Sequence, residues 1–357
     1  MSEQPKSDAA TEVKKNSVKT AGGACVGATI LGAGMALPET VLTNSDLEKV
    51  INTSDEWIRQ RTGITQRRVA KRELGETTAS LGTRALQAAL QDAGMAPTDL
   101  DYIVVATLTA DMPTPSAACQ IAANIGAGTI AGFDLNAACS GFVFALNTVD
   151  ALIRSGVARN VGVVGADIIT RHVDYSDRGR GTSILFGDAA GAFIVSGSDD
   201  ANHGVLARAM HTDGSRWPDL FIPRSDEDYP SDFDHQAQAV DLECLHMNGR
   251  AVFKFAVSTF GDLIQETLDK VGLRPEDVDH YVCHQSNKRI LDAARDRFGL
   301  PEEKLHVNID RYGNTVAASV CLCFAELKAQ GRIKPGQIVM FLGFGAGLTW
   351  GSSLWRL

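Results

Sequence analysis

The 357-residue chain has no run of roughly eighteen uninterrupted apolar residues, so nothing in it reads as a membrane span. Its opening, MSEQPKSDAATEVKKNSVKT, lacks the apolar centre of a signal peptide; residues 1–23 read as a flexible tail. Basic residues are outnumbered, 34 against 43 acidic ones, for a formal charge of -9. That balance argues against general nucleic-acid binding but leaves room for a local basic mouth that holds an anion. The seven cysteines are odd in number, scattered and without the spacing of a metal site. Cys321 and Cys323 stand two apart in a helical pattern and so do not share a face. No metal is expected, and a reduced, cytoplasmic setting fits best.

What is present is ordinary for a globular protein: 44% hydrophobic and 22% charged residues, with enough length for a large core or two halves around one interface. An internal repeat favours two halves. Thr77 to Ala93 carries helical periodicity and is followed by GMAPTDLDYIVVATL; Phe253 to Val271 does the same before GLRPEDVDHYVCHQS. Both share the frame G-x-x-P-x-D-x-D and then a β-rich run, at an offset of 272 - 94 = 178. Each glycine is placed to end a helix and each proline to prevent its continuation. Strands alternating with helices imply α/β layers. The halves are expected at 24–197 and 203–357, with a long irregular loop from Asp213 to Asn248 lying over a surface or pocket.

Three polar positions stand out. In DLNAACSGFVFAL, Cys139 falls between a short strand signal and an apolar helix, among Ala137, Ala138, Ser140 and Gly141. A helix N-terminus beside the sulfur would favour thiolate, and small neighbours would leave an approach open. An inert core cysteine is the plainer alternative. His284, in VCHQSNKR, follows a β-run at an edge where open α/β sheets bind ligands, or is a loop histidine bonded to backbone. Asn314, in DRYGNTVAAS, sits between a glycine and a helical run, and by itself suits a turn or N-cap. GFGAG, Gly343 to Gly347, lacks the surroundings of a nucleotide fingerprint but allows backbone N–H groups to approach a carbonyl.

Taken in order, TSDEWIRQRTGITQRR, PSAACQIA, AACSGF, LFGDAAGA, HQSNKRI, YGNT and FGAGLTWGS closely resemble the β-ketoacyl-acyl carrier protein synthase III family of the thiolase superfamily, from Ala28 to Leu357. The resemblance implies a five-layer α-β-α-β-α sandwich of two similar halves, a homodimer, and no permanently bound cofactor, metal or flavin. It implies an acyl-CoA substrate whose acyl group moves to Cys139, with Cys139 and Ala346 N–H groups as oxyanion hole. Malonyl-acyl carrier protein then loses CO2 while His284 and Asn314 donate to its thioester oxygen, and the carbanion takes the acyl group. For CoA it points to Thr53, Trp57, Arg61, Gly249 and Asn287, with either Arg180 or Arg178 facing Trp57 across the adenine. Thr114 and Phe186 are implied for the acyl pocket, Thr114 from across the dimer interface, and Lys254 and Arg289 for the carrier protein.

The chain departs from the family's usual pattern in HQSN for HQAN, in Val316 after GNT, and in Thr114 where some relatives carry phenylalanine. The last favours a longer or branched primer. The acidic stretch RSDEDYPSDFDHQAQAV is longer than the usual loop and reads either as a lid or as a solvated insertion. A specialised condensing or acyl-transfer enzyme of secondary metabolism with the same fold is the alternative function.

Overall fold

The G-x-x-P-x-D-x-D frame has a structural meaning that is repeated at both places. In the computed structural model, which describes residues 25–231, 233 and 241–357, Gly94 and Gly272 end their helices with φ of 64° and 67°. These left-handed values favour glycine. One-turn helices follow at Pro97–Asp99 and Pro275–Asp277. The first aspartate of each frame closes that turn: Asp99 accepts from Ala96 N–H and Asp277 from Arg274 N–H. The second pins the neighbouring parallel strand, Asp101 accepting from Asn160 N–H and Asp279 from Ile338 N–H, both near 2.9 Å or less. The motif is a strand-register device.

The strands form two sheets. The first runs β1 (Gly27–Ala36), β7 (Ala189–Ser198), β6 (Asn160–Asp167), β4 (Tyr102–Ala106), β5 (Ala131–Leu135). From β1 its first three pairings run antiparallel, antiparallel and parallel, and β5 adds a parallel edge. The second runs β8 (Gly204–Thr212), β13 (Thr349–Arg356), β12 (Ile338–Gly345), β11 (His280–Cys283), with the same sequence of senses. A fifth strand is reduced to one parallel bridge, Tyr281 to Leu305. Two short ribbons, β2 (Thr40–Thr43) with β3 (Gln66–Val69) and β9 (Leu220–Phe221) with β10 (His246–Met247), stand apart.

Helices complete five layers. The seven longer ones are α1 (Asp55–Thr62), α2 (Thr78–Ala93), α3 (Ala117–Ile125), α4 (Gly141–Arg154), α5 (Gly249–Asp269), α6 (Lys288–Phe298) and α7 (Ala318–Ala329). α2 and α3 cover the outer face of the first sheet, and α5 and α6 that of the second. α4 and α7 lie between the sheets, where Phe142, Leu146, Phe324 and Leu327 meet Phe193 and Phe341. α7 is buried continuously from Ala318 to Leu327, which is why its sequence is apolar all round and its cysteines at 321 and 323 are both enclosed. This is the expected thiolase-like α/β sandwich. Among the described residues no helix is long and apolar enough to cross a membrane.

The expected tail, residues 1–23, lies outside the described residues, as do residues 232 and 234–240 of the acidic insertion. The described part of that insertion is not merely solvated. Tyr229 and Phe233 stack against each other at 4.9 Å, and Phe233 packs on His246 at 4.7 Å.

Candidate active site

Cys139 belongs to the one-turn helix Ala138–Ser140 that leads into α4. Ala138 has φ of 46°, a left-handed conformation that turns the chain sharply and sets Cys139 at the helix mouth. The end of β12 packs directly on this turn. A Cβ at Gly345 would stand 2.6 Å from Cys139 N, and one at Gly343 would stand 3.0 Å from Ser140 Cα. The glycines of GFGAG therefore serve close approach to the cysteine, and Ala346 follows in the same cluster. The thiol is buried. Burial first, and the Asp167 carboxylate second, push it well above its ordinary value against the pull of the helix N-terminus. Burial therefore works against the thiolate that the helix end alone would favour.

His284 lies just beyond β11 and stays in register through its N–H to Leu342 O, 2.8 Å. Beneath it Gln285, fully buried, donates to Cys283 O and His306 O and accepts from Asn308 N–H. Burial pushes the imidazole down to about 3. Asn314 is held on both sides by main chain, its N–H to Leu185 O and its carbonyl to Gly187 N–H. Its side-chain Oδ1 accepts from Val316 N–H at 2.9 Å, which orients the amide and leaves Nδ2 as a donor.

Cys139, His284 and Asn314 line one narrow cavity of about 90 Å³, together with Phe186, Ser286 and Phe344. A wider cleft of about 350 Å³, lined by Arg178, Thr182 and His246, adjoins it through Met247 and Gly249. Asn287 also lines the inner cavity while capping α6, its Oδ1 accepting from Arg289 N–H. Arg61 and Arg180 both lie over the Trp57 ring, at 5.2 and 5.0 Å from its centroid. Arg178 instead pairs with Asp241 at 3.5 Å. Thr53 Oγ1 is buried without a partner among the described residues. Lys254 is exposed on α5, and Arg289 covers Phe253, a residue of the cavity wall. Thr114 is not brought to the cavity; it is exposed within this chain.

Sequence reading missed four contributors. Ser319 bonds His284, Asp167 reaches Ala317 N–H, Gln285 supports the histidine strand, and Ser286 Oγ is buried without a partner among the described residues. The serine in HQSN was visible as a departure, whereas Asp167 carried no local signal.

A cysteine at a helix mouth, a buried imidazole and an oriented amide meet in one cavity of a five-layer sandwich, and this is an arrangement suited to a condensing acyltransferase of thiolase type. Comparison with known proteins is specific. Family models described as 3-oxoacyl-[acyl-carrier-protein] synthase III and its C-terminal part match residues 133–214 and 268–357. β-Ketoacyl-[acyl-carrier-protein] synthase III of Caldanaerobacter subterraneus is 44% identical over 329 residues, 92% of this chain and 97% of that protein. The crystal structure of the Aquifex aeolicus synthase III is 41% identical with a TM-score of 0.84, over 93% of this chain and all of that one. The priming β-ketosynthase of the R1128 polyketide pathway is 34% identical with a TM-score of 0.84, over 94% and 98%. The chain belongs to the β-ketoacyl-acyl carrier protein synthase III family.

Proposed function

We propose that this enzyme carries out its family's decarboxylative condensation, of a CoA-activated primer with malonyl-acyl carrier protein, through an acyl group on Cys139. The observation that carries the assignment is the convergence of Cys139, His284 and Asn314 on one cavity. Cys139 attacks the primer thioester, and N–H groups of the 139 turn and of Ala346 receive the oxyanion. In the malonyl step His284 and Asn314 Nδ2 donate to the thioester oxygen as CO2 leaves, and the resulting carbanion takes the acyl group from sulfur. An amide suits this place because a carboxylate would repel the enolate.

CoA enters along the wider cleft, its adenine between Trp57 and Arg180. Two stacking contacts of about 3.5 Å need about 7 Å, so Arg180 opens by about 2 Å from its present 5.0 Å. Arg178, Arg61, Thr53, Gly249 and Asn287 complete the path, and Lys254 with Arg289 presents positive charge to the acidic carrier protein. A second copy pairs along β5, an edge strand with Phe133 37% and nearby Met112 43% exposed. That pairing is what would bring Thr114 of each copy toward the other's acyl pocket, beside Phe186.

A specialised condensing enzyme of secondary metabolism has one observation behind it: the polyketide-priming relative superimposes as well as the Aquifex enzyme, at 0.84. Identity, 41% against 34%, favours the first reading. Brief exposure to labelled acyl-CoA followed by peptide mass spectrometry tests the assignment. Acyl mass on Cys139, and CO2 release on adding malonyl-carrier protein, are expected. Mass on Cys119, on Cys283 or on no cysteine overturns it.

A further inference from the structure

Beyond β11 the chain keeps the alternation of a strand. His284 and Ser286 line the cavity, while Gln285 between them turns the other way, to His306 O and Asn308 N–H. Ser286 Oγ is buried and meets no donor or acceptor among the described residues. A buried hydroxyl without a partner destabilises a fold, and in a native protein it calls for an explanation. Its polar neighbours on the wall are committed. His284 Nδ1 bonds Ser319 Oγ, Asn314 Oδ1 accepts from Val316 N–H, and Asn287 accepts from Arg289 N–H while donating to Arg61 O at 3.0 Å. Apart from the Cys139 thiol, Ser286 is the one polar side chain on this wall with no bond among the described residues. The hydroxyl also departs from the usual HQAN, where alanine stands at this place.

Its place on the route says what the hydroxyl meets. Arg61 lies over Trp57, Asn287 is bonded to Arg61, and Ser286 stands between Asn287 and His284. A substrate lying between the Trp57 end and the reacting residues presents its pantetheine arm here. The polar group of that arm nearest the thioester is an amide, four bonds from the carbonyl carbon or roughly 5 Å when extended. Two residues of strand, from His284 to Ser286, span about 6.6 Å. We propose that Ser286 is a specificity-determining residue: its hydroxyl bonds the arm's amide nearest the thioester, in acyl-CoA and in malonyl-acyl carrier protein alike. This rests on the proposed condensation at Cys139 and adds a residue that reads what the two substrates share. A hydroxyl both donates and accepts, so it serves the amide N–H or its carbonyl. The cavity is narrow, about 90 Å³, and water does not reach the hydroxyl; an arm that seats itself there displaces the wall and meets it. Val252, Phe253 and Ile290 on the same wall are apolar, which strengthens the bond. The amide keeps its distance from the reacting carbon through both steps. The bond is therefore as strong in the ground state as in the transition state, and it lowers KM without raising kcat.

Single-turnover acylation of the full chain, read by mass spectrometry, tests this with thioesters that differ in the arm. Acetyl-CoA and S-acetyl-N-acetylcysteamine carry the amide; S-pentyl thioacetate has the same reach without it. At concentrations below saturation, Ser286→Ala should slow acylation about 5- to 10-fold with the first two, the scale of one hydrogen bond. Its rate with S-pentyl thioacetate should equal that of the wild type. In steady state, KM for acetyl-CoA and for malonyl-acyl carrier protein should rise by the same factor while kcat holds. The Tm of Ser286→Ala should not fall, because the hydroxyl has no bond in the free protein to lose. Equal losses with all three thioesters, or no loss with any, overturn the role given to Ser286 alone. So does a KM change confined to one substrate, or a lowered Tm. Absence of acyl-Cys139 in the wild type after acetyl-CoA overturns the catalytic reading itself, whatever Ser286→Ala does.

Discussion

Gly345→Ala is the smallest change that should separate folding from chemistry in this site. The new Cβ would stand 2.6 Å from Cys139 N and 3.0 Å from Cys139 Cβ, where ordinary contact begins at 3.4 Å. Something must yield by 3.4 - 2.6 = 0.8 Å. β12 cannot move freely, since it is paired to β13 as far as Gly345 and to β11 as far as Leu342. The strain therefore falls on the Cys139 turn and on the bonds that tie it: Ser140 N–H and Oγ to Ala137 O at 3.1 and 2.8 Å, Ala138 N–H to Asn136 Oδ1 at 3.2 Å, and the pair Ser140 Oγ and Thr349 Oγ1 at 2.6 Å. Overpacking of this kind costs about 1 to 3 kcal/mol, and a displacement of about 1 Å near reacting atoms costs up to ~100-fold in rate. Loading of Cys139 should slow by ~10- to 100-fold, with the affinity for CoA, which we propose rests on Trp57 and its flanking arginines, little changed. Rapid-quench transfer from labelled acetyl-CoA reads the first quantity and CoA titration the second. Gly214→Ala is the control, because nothing lies within 4 Å of its added Cβ. Wild-type loading by Gly345→Ala would refute the idea that the GFGAG glycines serve the cysteine.

Asn314→Asp keeps the oxygen that accepts from Val316 N–H but turns the donor into a charge; condensation should fall ~100-fold while Cys139 loading survives, and equal loss of both half-reactions would contradict the division. Cys139→Ala should show no acyl mass after acyl-CoA exposure with circular dichroism unchanged. Thr114→Phe should lower kcat/KM for octanoyl-CoA at least ~10-fold relative to acetyl-CoA, since a ring in a confined pocket outweighs several methylenes at roughly 0.8 kcal/mol each; an unchanged ratio would remove Thr114 from the pocket. Burial works against the Glu326 carboxylate, but bonds from His306, Arg311, Asn308 and Tyr312 bring it down to about 2 from an ordinary 4.5. Its folded value is depressed, so the stability it contributes is present above pH 4.5 and lost as pH falls toward 2. The Tm gap between wild type and Glu326→Gln should close over that window, and a gap constant with pH would show that the cluster contributes no linked stability.

How much of this was legible depended on whether the signal was local. The repeat was legible because helix stops and strand starts are written in adjacent residues: Gly94 and Gly272 take the left-handed φ their places demand. Cys139 was legible because a left-handed turn and close strand packing require small neighbours. The choice between Arg178 and Arg180 was not, since counting residues cannot tell which side chain turns to Trp57 and which to Asp241. Asp167 and Ser319 were invisible for a related reason. Each acts on a residue far along the chain, Asp167 on Ala317 N–H and Ser319 on His284 Nδ1, and neither contact has a spacing that one sequence reveals. The thiolate expectation weighed only the helix end; burial, which raises the thiol, comes from residues distant in sequence.

The offset of 178 reaches into the chemistry itself. Asn136 and Asn314 are equivalent by that count, and each bends the chain the same way: Asn136 Oδ1 accepts from Ala138 N–H, Asn314 Oδ1 from Val316 N–H. Ala138 and Val316, also 178 apart, are both left-handed, with φ of 46° and 51°. A β-branched residue rarely accepts that conformation, and a strained turn persists only where its surroundings over-determine it. Here the surroundings are the buried starts of α4 and α7. One device, an asparagine holding a left-handed turn at a helix mouth, thus occurs twice between the two sheets. The copies differ in what they present. The first follows its turn with Cys139, where the second has Ala317, whose N–H goes to Asp167. The second ends its strand run with His284, where the first has Ala106, packed toward Gly141. Two exchanges within an otherwise shared frame make the scaffold asymmetric, with a cysteine after one turn and a histidine beside the other turn's asparagine, all three on one cavity. Restoring symmetry at either place should therefore remove chemistry and spare the fold.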